Sequence, residues 1–289
     1  MKKFLVFLYY QLYNQLRILK RPYFFLLRRL ILFNNYFSGI NKVNIGGGAN
    51  FFGFGWMNLD VISSINTKQI LFQPSTILPF ASDKLELVYS SHCFEHLDDN
   101  TVDRLLEESY RILKKSGRIL IKIPDFDRIK DQYMKRNLGF LQNLGQDSVI
   151  WTWKKFGVEI NAENYYSMLI CGYWNKAYGD HFSGQINSNN KEAYHGPARI
   201  PHDQHVIILN KENIRDISKD LNKYALADED FHRFNHQNAW SYHQFRELLQ
   251  SKGFDFIHLD KVSILKEYGD IPDILSMVDW SMYLLAKKI

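Results

Sequence analysis

Apolar positions along this chain recur with two different periods, and the change between them marks its organisation. From Lys42 a β-branched run, KVNI, ends in three glycines, and a second short run, Trp56 to Val61, follows. Lys68 to Gln73 is a weaker third strand, and Leu85 to Ser91 (LELVYSS) a strong fourth. The period then becomes helical. Val102, Leu105, Leu106, Ser109, Tyr110 and Leu113 fall on one stripe on which only Ser109 is polar, as an amphipathic helix requires. Asp98 and Asp99 offer N-caps, Lys114 and Lys115 suit the last turn, and Gly117 is placed to stop it. Arg118 to Ile123 (RILIKI) is a fifth strand, cut by Pro124. After an interruption the alternation resumes, with a helix over Trp240 to Lys252 stopped by Gly253 and strands over Phe254 to Leu259 and Ser281 to Ile289. Seven strands alternating with helices predict an α/β fold, a doubly wound and mostly parallel sheet covered on both faces.

Two regions depart from this rhythm. Residues 126–238 carry many Asn, Tyr, Trp and His and few long apolar runs. They are too aromatic for a disordered linker, so they are expected to form an irregular insertion after the fifth strand that serves as a lid or acceptor-binding element. Residues 1–40 are predicted to be a basic, apolar helical extension preceding a main domain over 41–289. Residues 1–59 hold eight Lys and Arg and no acid, so the rest of the chain carries −3 against an overall +5. The longest uncharged stretch, Phe4 to Leu16, is short of the ~20 apolar residues of a spanning helix, and no small-residue cleavage site follows it. Two readings of 1–40 stand: a helix on an anionic membrane surface, or a helical cap with solvated lysines. The acidic balance elsewhere argues against nucleic acid. Apolar content of 46% and charged content of 23% are those of a globular protein. Two cysteines make no disulfide framework, which points to a reducing, cytoplasmic setting, extended to the inner membrane face if 1–40 binds lipid.

The candidate chemistry starts at the glycines. A strand running through glycine toward a helix brings bare backbone N–H groups close to a ligand, at the carboxyl end of the sheet where such folds bind their ligands. Asp60 ends the next strand and can accept both hydroxyls of a ribose; its alternative role is a turn or helix cap. Together they suggest a nucleoside ligand. A dinucleotide fingerprint would need a third glycine where Phe51 stands, which leaves an NAD(P)-dependent sugar-modifying enzyme as a remote alternative.

The run NIGGGAN…GWMNLD, then ILPFASDKLELVYSSHCFEHL, then RLLEESYRILKKSGRILIKIP resembles the class I S-adenosylmethionine-dependent methyltransferases, a Rossmann-like family, and within them the branch with an LPF…LVYSS…EHL signature. The closing segments WSYHQFRELLQSKGF and SMYLLAKK are similar as well. The resemblance covers residues 42–125 and 238–289. It implies S-adenosylmethionine as cofactor, with Gly46 and Gly48 facing its methionine part, Asp60 on the ribose, Ile77 and Leu78 near the adenine, and Ser90 and Ser91 beside the sulfonium. Glu95 and His96 would stand at the start of the following helix, near the methyl group. Asn44 occupies a cofactor-binding position where the family usually has Asp or Glu, Asn50 replaces a third glycine, and no carboxylate stands near Gln73. These departures motivate a second alternative, a non-catalytic scaffold of the same fold.

For a hydroxyl acceptor a general base is needed, and histidine is the usual one near neutral pH. His92 and His96 after the fourth strand, and Asp125 after the fifth, are the catalytic candidates. His181, His195, His202, His205, His232 and His236 lie in the insertion, and their spacings are read as cleft histidines; no metal is expected. The acceptor expected is a small molecule or glycan, with O-methylation of a glycan or lipid-linked sugar the working reading and peripheral membrane contact through residues 1–40.

Overall fold

The computed structural model describes residues 39–48, 50, 53, 55–62, 64, 67–140, 161–171, 202–225 and 236–289. The extension over 1–38 and His181, His195 and His232 lie outside the described residues.

Seven strands form one sheet in the order β3-β2-β1-β4-β5-β7-β6. They are β1 (Lys42–Ile45), β2 (Trp56–Asp60), β3 (Thr67–Gln69), β4 (Leu85–Ser91), β5 (Leu113–Pro124), β6 (Phe254–Phe256) and β7 (Ser281–Lys288). The first five pair in parallel, and β7 runs antiparallel between β5 and β6. The start of β7 therefore lies beside Pro124, at the edge where β4 and β5 end. One face of the sheet buries Val43, Ile45, Val88, Ile119 and Ile121 against α1 (Asp99–Ile112) and α6 (Tyr242–Ser251). The other buries Leu87, Tyr89, Leu120 and Leu285 against α7 (Lys261–Tyr268). Strands buried on both faces read as continuous apolar runs, which is why β4 and β5 were legible.

The ends of the elements differ in detail. Asp98, not Asp99, caps α1, accepting from the Thr101 backbone N–H at 3.0 Å, while Asp99 takes Arg215 at 2.5 Å. The helix ends earlier than Lys114, because Leu113 already pairs with Leu85 and is fully buried there. The left-handed residue of the turn that follows is Ser116 (φ 63). Gly117 serves a close approach instead: a Cβ there would sit 2.8 Å from the Lys114 carbonyl oxygen and 3.0 Å from that of Leu85. At the other helix, Ser241 and Gln244 form a capping box at the start of α6, and Gly253 (φ 89) ends it as expected.

The described parts of the insertion are helical rather than irregular: α2 (Phe126–Met134), α3 (Ala162–Cys171), α4 (His202–Leu209) and α5 (Ile214–Ala225). They share their own core of Phe126, Ile129, Tyr133, Tyr165, Tyr166, Ile170, Leu209 and Leu221, with Tyr133 and Tyr166 stacked at 4.4 Å. Almost all of α3 is buried, so it shows no amphipathic stripe from which sequence periodicity could identify it.

Candidate active site

The glycine turn after β1 is held from below and from the side. Asn44 and Asn58 are buried neighbours on β1 and β2, joined by an Asn44 Nδ2 to Asn58 Oδ1 bond of 2.9 Å. Asn58 Nδ2 in turn reaches the Gly48 carbonyl oxygen at 2.9 Å and that of Asn50 at 3.2 Å. This amide pair lies tight beneath the turn, since a Cβ on Gly47 would come within 1.9 Å of Asn44 Nδ2 and 2.0 Å of Asn58 Oδ1. Gly46 (φ 77) and Gly48 (φ 59) both adopt the left-handed conformation. The space around them differs: a Cβ on Gly46 would meet Cys93 Sγ at 2.2 Å, whereas one on Gly48 would meet no atom of a described residue within 4 Å. Among the described residues, room therefore lies over Gly48. Asp60 accepts from the Gly48 N–H at 2.7 Å and the Ile62 N–H at 3.0 Å. It is a turn clasp, with further lone pairs left on each oxygen.

The segment before β4 is fixed by the polar side of α1. Arg104 donates to the Thr76 carbonyl oxygen at 2.7 Å, and Arg111 to those of Phe80 and Leu78 at 2.9 and 3.1 Å. Glu108 accepts the Leu78 N–H at 2.7 Å. Burial opposes the Glu108 charge, but the Arg111 bond and the Leu78 N–H outweigh it and hold the carboxyl below its usual range. Leu78 is 1% exposed and belongs to the core, so it does not line an open site; Ile77, beside it, is 67% exposed. Ser90 is likewise buried and donates to the Ile45 carbonyl oxygen at 2.9 Å, while Ser91 is half-buried.

Beyond β4 the chain turns at His92 (φ 48). Glu95 and His96 lie in a 3₁₀ turn (Phe94–His96) that precedes α1 instead of beginning it. His92 Nδ1 lies 3.1 Å from Glu95 Oε1, and its Nε2 2.9 Å from Ser281 Oγ at the start of β7. The Ser281 hydroxyl donates to the Met277 carbonyl oxygen at 2.7 Å. Glu95 is fully buried. Burial works against its charge, but the bond from His92 and the fields of His92, His96 and His236 outweigh it and hold the carboxyl below the usual range. His236 returns from the insertion against this turn, its ring 4.8 Å from that of His96. Burial, with His96 beside it, pushes His236 down to about 3. His205 takes no part; it sits in the insertion core, 2.5 Å from Ser167 Oγ. Asp125 caps α2 through the Arg128 N–H at 3.0 Å.

Next to His92 is a cavity of about 540 Å³ lined by Arg128, Phe140, Leu275, Met277, Asp279 and Trp280. The Trp280 ring lies 5.6 Å from that of His92. The loop that supplies Leu275 is held by Lys122, whose fully buried ammonium donates to the carbonyl oxygens of Asp273 and Ser276 at 2.9 and 2.5 Å. Neither Trp280 nor Lys122 was singled out from sequence; an isolated lysine inside the apolar run RILIKI was the available signal. Burial pushes Lys122 down to about 8, although Asp273 and Glu95 favour its charge. An unfolded lysine titrates near 10.4, so between about pH 8 and 10 the unfolded chain holds one more proton and stability rises with pH. Relative to Lys122→Met, the wild-type protein is expected to gain up to ~1.4 kcal/mol per pH unit in that window. Urea unfolding of both proteins at several pH values reads this directly, and parallel pH dependences would remove the effect.

Residues 62–121 match the family model described as a methyltransferase domain. The match begins just past Asp60 and spans β3, β4, α1 and most of β5. No curated protein matches the chain. Among solved structures, an S-adenosylmethionine-dependent methyltransferase from Mesorhizobium loti is 14% identical, with a TM-score of 0.38, covering 86% of this chain and 90% of its own. The 1,6-didemethyltoxoflavin-N1-methyltransferase of Burkholderia thailandensis is 8% identical with a TM-score of 0.38, over 90% of this chain and 77% of its own. A phosphoethanolamine N-methyltransferase of Haemonchus contortus is 13% identical with a TM-score of 0.33, over 91% and 52%. The class rests on the matched segment and on the sheet itself, not on these likenesses. The all-parallel 3-2-1-4-5-6 order of dinucleotide-binding folds is not the one found, since an antiparallel β7 stands between β5 and β6. Residues 62–121 of this chain thus carry the match to a methyltransferase domain, within an α/β sheet that has one antiparallel strand, and S-adenosylmethionine is the cofactor that match supports.

Proposed function

We propose that this domain methylates a hydroxyl group of a sugar, on a glycan or a lipid-linked carrier, with His92 as general base. The observation that carries this reading is Trp280, which lines the 540 Å³ cavity and also touches the His92 ring. An indole and a phenyl face flanked by a guanidinium and a carboxylate suit a polar, ring-shaped acceptor.

The glycine turn fits the cofactor. Gly48 follows β1 and Asp60 ends β2, so the room over Gly48 among the described residues and the remaining lone pairs of Asp60 share the carboxyl edge of the sheet, and Ile77 offers an exposed apolar side chain. Gly46, Gly48 and Asp60 would hold the methionine and ribose parts, and Ile77 would cover the adenine. Asn44 and Leu78 act from beneath as supports, and Ser91 completes the strand end near the reacting group. Bound there, S-adenosylmethionine supplies a methyl group on a sulfonium, an electrophile with its leaving group already in place.

The chain's own residues then position the acceptor and handle its proton. Glu95 Oε1 accepts from His92 Nδ1–H, and the single Nε2 lone pair of the neutral ring accepts the Ser281 hydroxyl until the acceptor hydroxyl displaces it and gives up its proton there. Once Nε2 carries that proton it can donate to Ser281 Oγ, whose own hydrogen then turns to the Met277 carbonyl. The His92 side chain is 17% exposed, enough for one edge to meet an acceptor. Positioning of this kind contributes several kcal/mol. The lid role of residues 126–238 and a membrane-facing role for residues 1–40 belong to the same reading. Among the described residues no helix is long and apolar enough to cross a membrane.

The test has two parts. Calorimetry is expected to show binding of S-adenosylmethionine and none of NAD; absence of both supports the scaffold alternative. Transfer of labelled methyl groups is then screened over sugar, small-molecule and protein acceptors. Trp280→Ala is expected to raise KM for sugars about tenfold or more, the loss of one stacking contact, with cofactor affinity unchanged. Transfer confined to acceptors without a sugar would overturn the assignment.

A further inference from the structure

Glu95, His96 and His236 bring one ligand atom each to within 4.8 Å of one another. They come from two distant parts of the chain, the turn after β4 and the segment that returns from the insertion. Backbone and side-chain bonds fix the meeting. The Asn238 N–H donates to the Glu95 carbonyl oxygen at 3.0 Å, Gln237 Nε2 to that of His96 at 3.0 Å, and Asn238 Nδ2 to that of Leu97 at 2.7 Å.

Two details make the cluster more than a coincidence of polar residues. Glu95 is fully buried, and among the described residues its Oε2 has no hydrogen-bond partner while Oε1 is taken by His92. A buried carboxylate oxygen left unpaired is costly and calls for a partner the protein chain does not itself supply. His236 Nδ1 lies 3.1 Å from the Leu169 carbonyl oxygen, which can only accept, so the proton sits on Nδ1 and Nε2 presents its lone pair. A ring nitrogen oriented by a backbone carbonyl on its far side is how metal-ligating histidines are held.

We infer that Glu95, His96 and His236 form a binding site for a divalent transition-metal ion, of which zinc suits the ligands best. Two imidazoles and a carboxylate are a ligand set that zinc accepts, with a fourth position left for water or another oxygen. Donor atoms around one tetrahedral ion at roughly 2.0–2.1 Å lie about 3.4 Å apart. Small side-chain rotations suffice to reach that spacing from the one observed. The ion would neutralise Glu95 Oε2 and staple the returning segment of the insertion to the turn that carries His92. The site stands independently of the acceptor proposed above, and it departs from the sequence reading, in which the histidines of the insertion were expected to line a cleft without metal.

The experiment uses the full chain, stripped with chelator and titrated with Zn²⁺ by competition calorimetry and with Co²⁺ by visible absorption. One equivalent of Zn²⁺ is expected, with a Co²⁺ spectrum of low coordination number. His96→Ala and His236→Ala are each expected to weaken binding by about 100-fold or more, at least what removing an outer-shell partner does. Far-ultraviolet circular dichroism and cofactor titration check that the variants fold. If His236→Ala does not fold, His96→Ala, on the more exposed side of the cluster, decides. Absence of stoichiometric binding in the wild type, or binding retained in a folded His96→Ala, overturns the site. Neither readout requires methyl transfer, so failure of the acceptor assignment and failure of the metal site are told apart.

Discussion

Gly46→Ala is expected to cost the protein about 2–5 kcal/mol of folding stability, and Gly48→Ala only ~1–2 kcal/mol, although both abolish cofactor binding. Both residues are in the left-handed region, at φ 77 and 59, where any Cβ costs roughly 1–2 kcal/mol. Only at Gly46 does the added methyl also run into the core, 2.2 Å from Cys93 Sγ and 2.3 Å from Cys93 Cβ. Cys93 is buried, and overpacking of this kind adds roughly 1–3 kcal/mol. Against a typical stability of about 5–15 kcal/mol, the Gly46 variant is close to the limit of a folded protein. At Gly48 the methyl meets no described residue, so the chain is expected to tolerate it and a ligand seated there is not. Urea unfolding and calorimetric titration with S-adenosylmethionine separate the two effects. A folded Gly48→Ala protein that binds the cofactor with wild-type affinity would place the ligand away from Gly48.

The glycine turn was legible because it is local. Strand, glycines, strand and aspartate follow one another within a short stretch, and the backbone conformations at Gly46 and Gly48 are those only glycine adopts freely. What local pattern did not reveal is how the turn is supported. Asn44, read from the resemblance as a cofactor ligand in place of an acidic residue, is buried against Asn58 and braces the turn from below. Asp60 clasps the backbone N–H groups of Gly48 and Ile62, the turn-cap role that stood beside its ribose role in the sequence. Of the insertion helices, α3 was missed for a physical reason: it is buried on almost every side among α2, α4 and α5 and so shows no stripe. The cluster of Glu95, His96 and His236 was out of reach for another, since it depends on contacts between residues 141 positions apart. Pairing of β7 with β5 likewise brings Ser281 to His92, 189 positions away. His92 was named from its place after the fourth strand and its carboxylate partner Glu95 stands three residues on, whereas its hydroxyl partner is a product of topology.

That dependence on Glu95 gives the second large effect. His92→Ala is expected to lower kcat by about 10² to 10⁴-fold, the range of a lost general base, while cofactor affinity is held. Glu95→Gln keeps the size of the side chain but removes the charge that stabilises His92 once Nε2 is protonated. It is therefore expected to lower kcat in the same direction as His92→Ala, and the double variant to lose little more than His92→Ala alone, because the pair acts as one unit. Asp125→Asn separates His92 from Asp125 among the three sequence candidates. Asparagine caps a helix as well as aspartate, so a residue whose carboxylate serves only the Arg128 N–H at the start of α2 leaves kcat near the wild-type value when replaced this way. A large loss of kcat in Asp125→Asn, with His92→Ala near wild type, would move the base from the turn after β4 to the end of β5. The geometry favours the first. His92 lies against both Glu95 and Trp280, so the base proposed above sits between a carboxylate that can steady its charge and the cavity proposed for the acceptor.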